Sequence, residues 1–281
     1  MNKKIAVPSR TKEILEKYNL HAKKGFGQNF LVDPVITERC AEAAHCEGAV
    51  IEIGPGIGSL TEELALHSKH VTAYEIDPDM AEVLKDTLSP YDNVEIILQD
   101  FLETDIEKKV KELKGQYGQV TVCSNLPYYI TTPVLFKIFS LGNDIPYITV
   151  MVQKEVGDRF AAKPKDPEYG ALSVEGQYLY DVKKLFTVPG RSFNPSPKVD
   201  SVIIQFTRKK DEDPDVDLNA FFELVRACFK QRRKTIYNNL KEYLKDTDQT
   251  VQVLEKAGIS QGRRAQELSV EDFQKIYEAL K

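Results

Sequence analysis

Apolar residues along this chain fall into short runs separated by amphipathic stretches. Ala49 to Ile53, His70 to Glu75, Val94 to Leu98, Gln119 to Ser124 and Tyr147 to Gln153 read as strands. The intervening spacing predicts helices from about Ser59 to His67, after Asp77-Pro78, and from Pro133 to Phe139. Asp77 suits an N-cap and Pro78 the first helical position. Strands alternating with helices imply a mostly parallel sheet covered on both faces. Upstream, residues 1–24 form a basic arm with one amphipathic helix, Arg10 to Tyr18. A loop over 25–31 and a helix from Pro34 to His45 follow. After Gln153 the pattern loosens. Lys163 to Glu168 reads as a charged loop, and Asp181 to Val188 and Val199 to Thr207 as late strands flanking a Pro-rich loop. The acidic stretch Asp211 to Asp215 is the linker candidate. Beyond it Phe222, Val225 and Phe229 share a face at helical spacing, and Ser269 to Asp272 is a capping-box start for the last helix. The expected fold class is α/β, with one domain over 1–207 and a small all-helical domain over 208–281.

Composition narrows the class. The chain is 42% hydrophobic and 29% charged, the balance of a soluble protein with a full core. No apolar run approaches 18 residues, so no membrane span is expected. The N-terminus lacks the apolar stretch of a secretory signal. Cys40, Cys46, Cys123 and Cys228 show no C-x-x-C pairing and no zinc spacing with histidine, which reads as a reduced, cytoplasmic protein without a metal site. The net charge of −5 argues at first against a nucleic-acid partner. Its distribution changes that. Residues 218–281 carry 12 Lys and Arg against 9 Asp and Glu, while residues 1–207 carry 23 against 29. A basic segment on an acidic body allows a local phosphate-binding patch.

The candidate chemistry sits at strand ends. Glu52-Ile53-Gly54-Pro55-Gly56-Ile57-Gly58 joins a strand to a helix, where Gly lets the backbone approach a ligand closely. The spacing is G-x-G-x-G, and Ser59 stands where a dinucleotide fingerprint would carry its third Gly. Glu75 ends the next strand and suits both hydroxyls of a ribose. Asp100-Phe101 follows the third strand, a carboxylate for an adenine amine beside an aromatic for its face. A nicotinamide dinucleotide and S-adenosylmethionine both carry these groups. The glycine spacing and the absence of a phosphate-reading cluster favour S-adenosylmethionine. At the fourth strand end, Asn125-Leu126-Pro127-Tyr128 suits the exocyclic amine of a nucleobase. The Asn125 amide oxygen and the carbonyl of Leu126 or Pro127 can accept two N–H bonds, and Tyr128 can stack on the base. Accepting both hydrogens helps localise an otherwise delocalised lone pair. Asn-x-Pro is also a common turn.

In this order and at these spacings the motifs resemble the ribosomal RNA adenine N6-dimethyltransferases, most closely the KsgA-type small-subunit (16S) enzymes, over essentially the whole chain. Gly25 to Leu31 is similar to the family's N-terminal cofactor motif, Ser192 to Ser201 to its late catalytic-domain loop, and Phe229 to Leu240 to its C-terminal segment. The resemblance implies a Rossmann-like S-adenosylmethionine-dependent methyltransferase sheet. It implies cofactor contacts from Gln28, Asn29, Leu31, Gly54, Gly56, Glu75, Asp100 and Asn125. Tyr128 and Phe193 would sandwich an adenine, which must be extruded from its stack to react. Tyr129 stands where many relatives carry Asn.

The implied reaction is in-line dimethylation of two adjacent adenines in the 3′-terminal hairpin of small-subunit rRNA, within a pre-ribosomal 30S particle. Orientation and electrostatics would carry it without a strong general base. Lys230, Arg232, Arg233 and Lys234 would meet RNA phosphates, with Lys23, Lys24, Arg263 and Arg264 as further candidates. The sequence shows no dimer seam, so a monomer is expected. Two alternatives remain open: the large-subunit methyltransferase of the macrolide-resistance type, and an assembly factor acting mainly by binding.

Overall fold

A computed structural model describes residues 3–20, 29–210 and 216–281. The chain divides into two compact units, one of residues 1–157 with 183–208, the other of residues 158–182 with 209–281. In chain order, α1 (Pro8–Lys17), β1 (Phe30–Leu31) and α2 (Pro34–Glu42) lead into the alternation. It runs β2 (Ala49–Ile53), α3 (Ser59–His67), β3 (His70–Glu75), α4 (Pro78–Thr87), β4 (Val94–Leu98), α5 (Ile106–Tyr117), β5 (Val120–Asn125), α6 (Thr131–Phe139) and β6 (Tyr147–Gln153). Then come α7 (Lys154–Ala161), α8 (Ala171–Leu179), β7 (Tyr180–Val188), β8 (Phe193–Asn194) and β9 (Ser201–Arg208).

The strands form a seven-stranded sheet among the described residues, in the order β4-β3-β2-β5-β6-β9-β7. β2 to β6 are mutually parallel, and β9 runs antiparallel to β6. Every residue of β2 is buried, as helices on both faces of a parallel sheet require. β7, at the edge, exposes Asp181, Lys183, Lys184 and Thr187, the charged surface that keeps an edge from pairing with another chain. Leu60 and Leu64 of α3 pack with Ile36 and Cys40 of α2 against Val50 and Val71 of the sheet. Met80, Val83 and Leu84 of α4 pack with Ile14 of α1, Phe30 and Ile57. The N-terminal segment is fastened to α3: the Ile5 N–H donates to Glu62 Oε2 at 2.7 Å and Lys4 Nζ pairs with Glu63 Oε1 at 2.8 Å.

Several expected boundaries move. α1 begins at Pro8, whose fixed φ suits a first turn, and α2 stops at Glu42, short of His45. His45 takes φ +51°, which ends helical geometry. α7 and α8 were not expected, because a charged loop interrupts their pattern. The acidic linker candidate lies outside the described residues.

The second unit continues with α9 (Leu218–Phe229), α10 (Ile236–Leu244), α11 (Thr247–Lys256) and α12 (Val270–Leu280). Residues 158–182 belong to it, whereas the sequence boundary left them in the first domain. The reason is aromatic packing. Tyr178 lies 4.5 Å from Phe221, which meets Tyr277 edge-on, and fully buried Tyr169 sits edge-on to Phe229. The Tyr169 hydroxyl donates to the Leu268 carbonyl at 2.8 Å. These partners are far apart in sequence, so no local pattern announces them.

At the base of the sheet, a Cβ on Gly48 would lie 2.2 Å from the Gln119 carbonyl oxygen. That oxygen already accepts from the Ala49 N–H, so backbone must shift. Gly48→Ala is expected to cost about 1–3 kcal/mol, read as a lower Tm with cofactor affinity retained in the folded fraction. An unchanged Tm would show that the strand starts can part freely.

Candidate active site

The ends of β2, β3, β4 and β5 converge on one cavity of the first unit. β2 pairs with β3 on one side and β5 on the other, so the connections diverge and leave a crevice at its carboxyl end. Asn29, Leu31, Gly54, Gly56, Glu75, Asp100 and the Asn125-to-Tyr128 tetrapeptide all line this cavity. Gln28, with Lys23 and Lys24, lies outside the described residues.

The glycine turn takes left-handed backbone, φ +70° at Gly54 and +60° at Gly56. Side chains rarely adopt this conformation, and a Cβ at Gly54 would also sit 3.2 Å from Pro127 Cγ. Glycine therefore lets the turn lie directly against the tetrapeptide.

Glu75 is 5% exposed and braced by three backbone N–H groups. Ile76 and Asp77 donate to Oε1 at 2.9 Å each, and Gly56 donates to Oε2 at 3.3 Å. Burial raises its pKa, while these three donors pull it back down. Glu52 contrasts with it. It is fully buried on the cavity wall, and Oε2 has no hydrogen-bond partner. Burial pushes its carboxyl up to about 8, opposed by the Thr61 hydroxyl and assisted by the charge of Glu75. Asp100 caps the short turn Phe101–Glu103, accepting the Leu102 N–H at 2.8 Å.

The tetrapeptide leaves the sheet in a defined way. The Leu126 N–H donates to Met151 at 3.1 Å, the last rung beyond β5. The Pro127 carbonyl accepts from the Ile130 N–H and the Thr131 hydroxyl, filling both lone pairs. The Leu126 carbonyl accepts no hydrogen bond among the described residues, and neither does the Asn125 side chain make one. So of the two carbonyls left open by sequence, Leu126 is the available acceptor. Tyr128 is tethered through its hydroxyl to Ser201 Oγ at 2.8 Å, and burial raises its pKa.

Three expectations need revision. Phe193 is 4% exposed and packs in the core with Leu31, Ile36 and Val188; it is not on the cavity wall. The pairing of Leu31 with Phe193 draws the ring inward. Phe101 lines the cavity but is 3% exposed, its ring edge-on to Tyr74 at 5.5 Å. Open apolar surface comes instead from Ile76 and Leu102, which the sequence did not single out, and from Tyr129, which was expected on the pocket wall. Ile76 is 44% exposed and Tyr129 54%. For Ile76, its place just beyond a strand-ending acid was the available signal. Lys230 to Lys234, expected within a helical region, form the exposed turn between α9 and α10. Buried Asn239 clamps that turn, accepting the Gln231 N–H and donating to its carbonyl. Lys230 pairs with Glu242 at 2.6 Å, and Arg232 donates to the Pro167 carbonyl at 2.6 Å.

The model of the ribosomal RNA adenine dimethylase family matches residues 19–281. The chain belongs to that family. Its activity is therefore S-adenosylmethionine-dependent dimethylation of adenine in ribosomal RNA. The chain is 46% identical to the ribosomal RNA small subunit methyltransferase A of Staphylococcus aureus (strain Newman), over 100% of this chain and 97% of that one. Among solved structures it is similar to a dimethyladenosine transferase from Plasmodium falciparum, with TM-score 0.74 and 28% identity, covering 88% of this chain and 95% of that one. It is also similar to the 23S rRNA methyltransferase ErmE, with TM-score 0.67 and 28% identity over 90% and 99% of the two chains.

Glu52 gives the dimethylase site a pH signature. Its carboxyl is largely protonated in the free protein below pH 8. A cationic ligand favours the ionised form, so binding expels that proton and weakens as pH falls. S-adenosylmethionine affinity is expected to rise by up to about tenfold per unit between pH 6 and 7.5. Calorimetry should find this slope flattened in Glu52→Gln. An equal slope in both proteins would assign the proton elsewhere.

Proposed function

We propose that this chain dimethylates two adjacent adenines in the 3′-terminal hairpin of small-subunit (16S) rRNA, acting as a monomer on a pre-ribosomal 30S particle in the cytoplasm. The observation that carries the reading is the open acceptor pair of Asn125 and Leu126 beside Tyr128, in the cavity that Glu75 and Asp100 also line. The near full-length likeness to a small-subunit enzyme supports the choice of target.

The cavity fits the cofactor. An orphaned buried carboxyl oxygen on Glu52 suits an ammonium, and the Cβ-free turn at Gly54 and Gly56 suits close approach of an amino-acid chain. When bound, S-adenosylmethionine supplies a methyl group made electrophilic by its sulfonium. Glu75 holds the ribose hydroxyls, Asp100 the adenine amine, and Ile76 and Leu102 the ring faces. Asn29 and Leu31 close the wall, with Gln28 beside them.

Asn125 and the Leu126 carbonyl accept the two N–H groups of the target amine and so aim its lone pair. Tyr128 stacks on the extruded base, its tilt set by the Ser201 tether. For Phe193 to complete the sandwich, its ring must leave the core. No strong base is needed, because the ammonium formed on methylation is acidic enough to lose its proton to water. After one methylation a single N–H remains to be accepted, so the open Leu126 carbonyl leaves room for the amine to turn. In the second unit, Arg232, Arg233 and Lys234 meet backbone phosphates, and Lys230 joins them by exchanging Glu242 for phosphate.

Labelled S-adenosylmethionine offered to unmodified small subunits should yield N6,N6-dimethyladenosine in the 16S RNA. Unmodified large-subunit RNA should stay unlabelled; label there instead would favour the macrolide-resistance type. Asn125→Ala is expected to lower turnover by about a hundredfold or more, with cofactor affinity little changed. Turnover at the unsubstituted level would remove Asn125 from the mechanism. Replacing Arg232 and Arg233 by Ala should reduce the salt dependence of RNA binding by roughly 0.7–0.9 per lost phosphate contact. An unchanged slope would exclude the turn as the phosphate site.

A further inference from the structure

Lys137 lies on α6, six residues past its first residue, half-buried and apart from the cavity lining. Its ammonium donates to two main-chain carbonyls, Leu102 at 2.6 Å and Thr104 at 2.7 Å. The same nitrogen lies 5.8 Å from the centre of the Phe101 ring. These groups belong to the short turn that follows β4. Asp100 caps the start of that turn, and the Thr104 hydroxyl closes back on the Asp100 carbonyl at 3.1 Å. Leu102 carries an apolar side chain into the cavity.

The arrangement is asymmetric. At its start the turn holds itself through Asp100. At its far end its carbonyls point to Lys137, and no other side chain donates to them among the described residues. A cation on two carbonyls acts as a cap does at a helix C-terminus. Bonds from a charged donor are about twice as strong as neutral ones. The turn that presents Asp100 and Leu102 is thus held by a helix that neither residue belongs to.

We propose that Lys137 is a positioning residue for recognition of the adenine end of the cofactor. It touches neither cofactor nor substrate. It sets where the Asp100 carboxylate and the Leu102 side chain stand in the cavity. The inference rests on the reading of this cavity as the S-adenosylmethionine site. The tetrapeptide does not depend on the tie, being held by Met151, by its own turn and by Ser201. Loss of Lys137 therefore weakens cofactor binding and leaves the methyl-transfer step intact at saturation.

The test compares the full-length chain with Lys137→Met and Lys137→Arg. Two ligands are titrated: S-adenosylmethionine, and 5′-methylthioadenosine, which keeps the adenosine and lacks the amino-acid end. In Lys137→Met both dissociation constants should rise by the same factor, about tenfold. The KM for S-adenosylmethionine should rise with them, while kcat on small subunits stays within about threefold. Lys137→Arg, whose guanidinium also donates to two carbonyls, should recover most of the affinity. If Lys137→Met does not fold, Lys137→Gln, which keeps amide N–H donors but loses the charge, should show an intermediate rise for both ligands.

A lower Tm with both dissociation constants unchanged would overturn the proposal and leave Lys137 as a fold staple. Weakening of S-adenosylmethionine alone would overturn it too, by placing the effect at the amino-acid end. Failure of the unsubstituted chain to bind either ligand would instead sink the reading of the cavity itself.

Discussion

The site depends first on the bracing of one buried carboxylate, Glu75. Three N–H groups from two strand ends converge on it, and one of them, Gly56, belongs to the glycine turn. A left-handed turn leaves N–H groups that no ladder can satisfy, and a buried unpaired donor is costly. Glu75 satisfies that donor, and the donors in turn offset the desolvation of Glu75. The ends of β2 and β3 are thereby joined. Gly54 then packs on Pro127, which keys the end of β5 to the same junction. Binding and reacting groups on separate strands are held in one frame.

Glu52 and Glu75 show how burial assigns different tasks to one residue type. Both are nearly inaccessible, and both face the same cavity. Glu75 is surrounded by donors that offset part of the cost of burying its charge, although burial still leaves its pKa raised. Glu52 lacks a partner at Oε2, so its charge waits on a cation arriving from outside. An acidic cavity of this kind suits a positively charged cofactor. The basic turn after α9 belongs to the second unit, so the proposed phosphate contacts do not require the acidic first unit to be basic.

Under the proposed reading, catalysis at this site is a matter of aim more than of acid–base chemistry. The Pro127 carbonyl is spent on its own turn, which leaves Leu126 and Asn125 facing the cavity. Tyr128 is tethered at its hydroxyl to Ser201, which restrains its ring. Pre-set donors and acceptors of this type need no reorganisation at the moment of reaction.

The sequence by itself determined the alternation of strands and helices, because a strand buried on both faces must be a short apolar run. It also determined the glycine turn, Glu75, Asp100 and the Asn125 tetrapeptide, since strand ends are where a parallel sheet exposes groups to a ligand. Tertiary structure decided what depends on partners distant in the chain. It assigned residues 158–182 to the second unit through Tyr169 and Tyr178, drew Phe193 into the core through its pairing with Leu31, and brought Ile76 and Leu102 to the cavity. It also selected Leu126 over Pro127 and placed Lys137 under the Asp100 turn. Each of these follows from which carbonyl or ring a residue meets in space, and local periodicity carries no record of that.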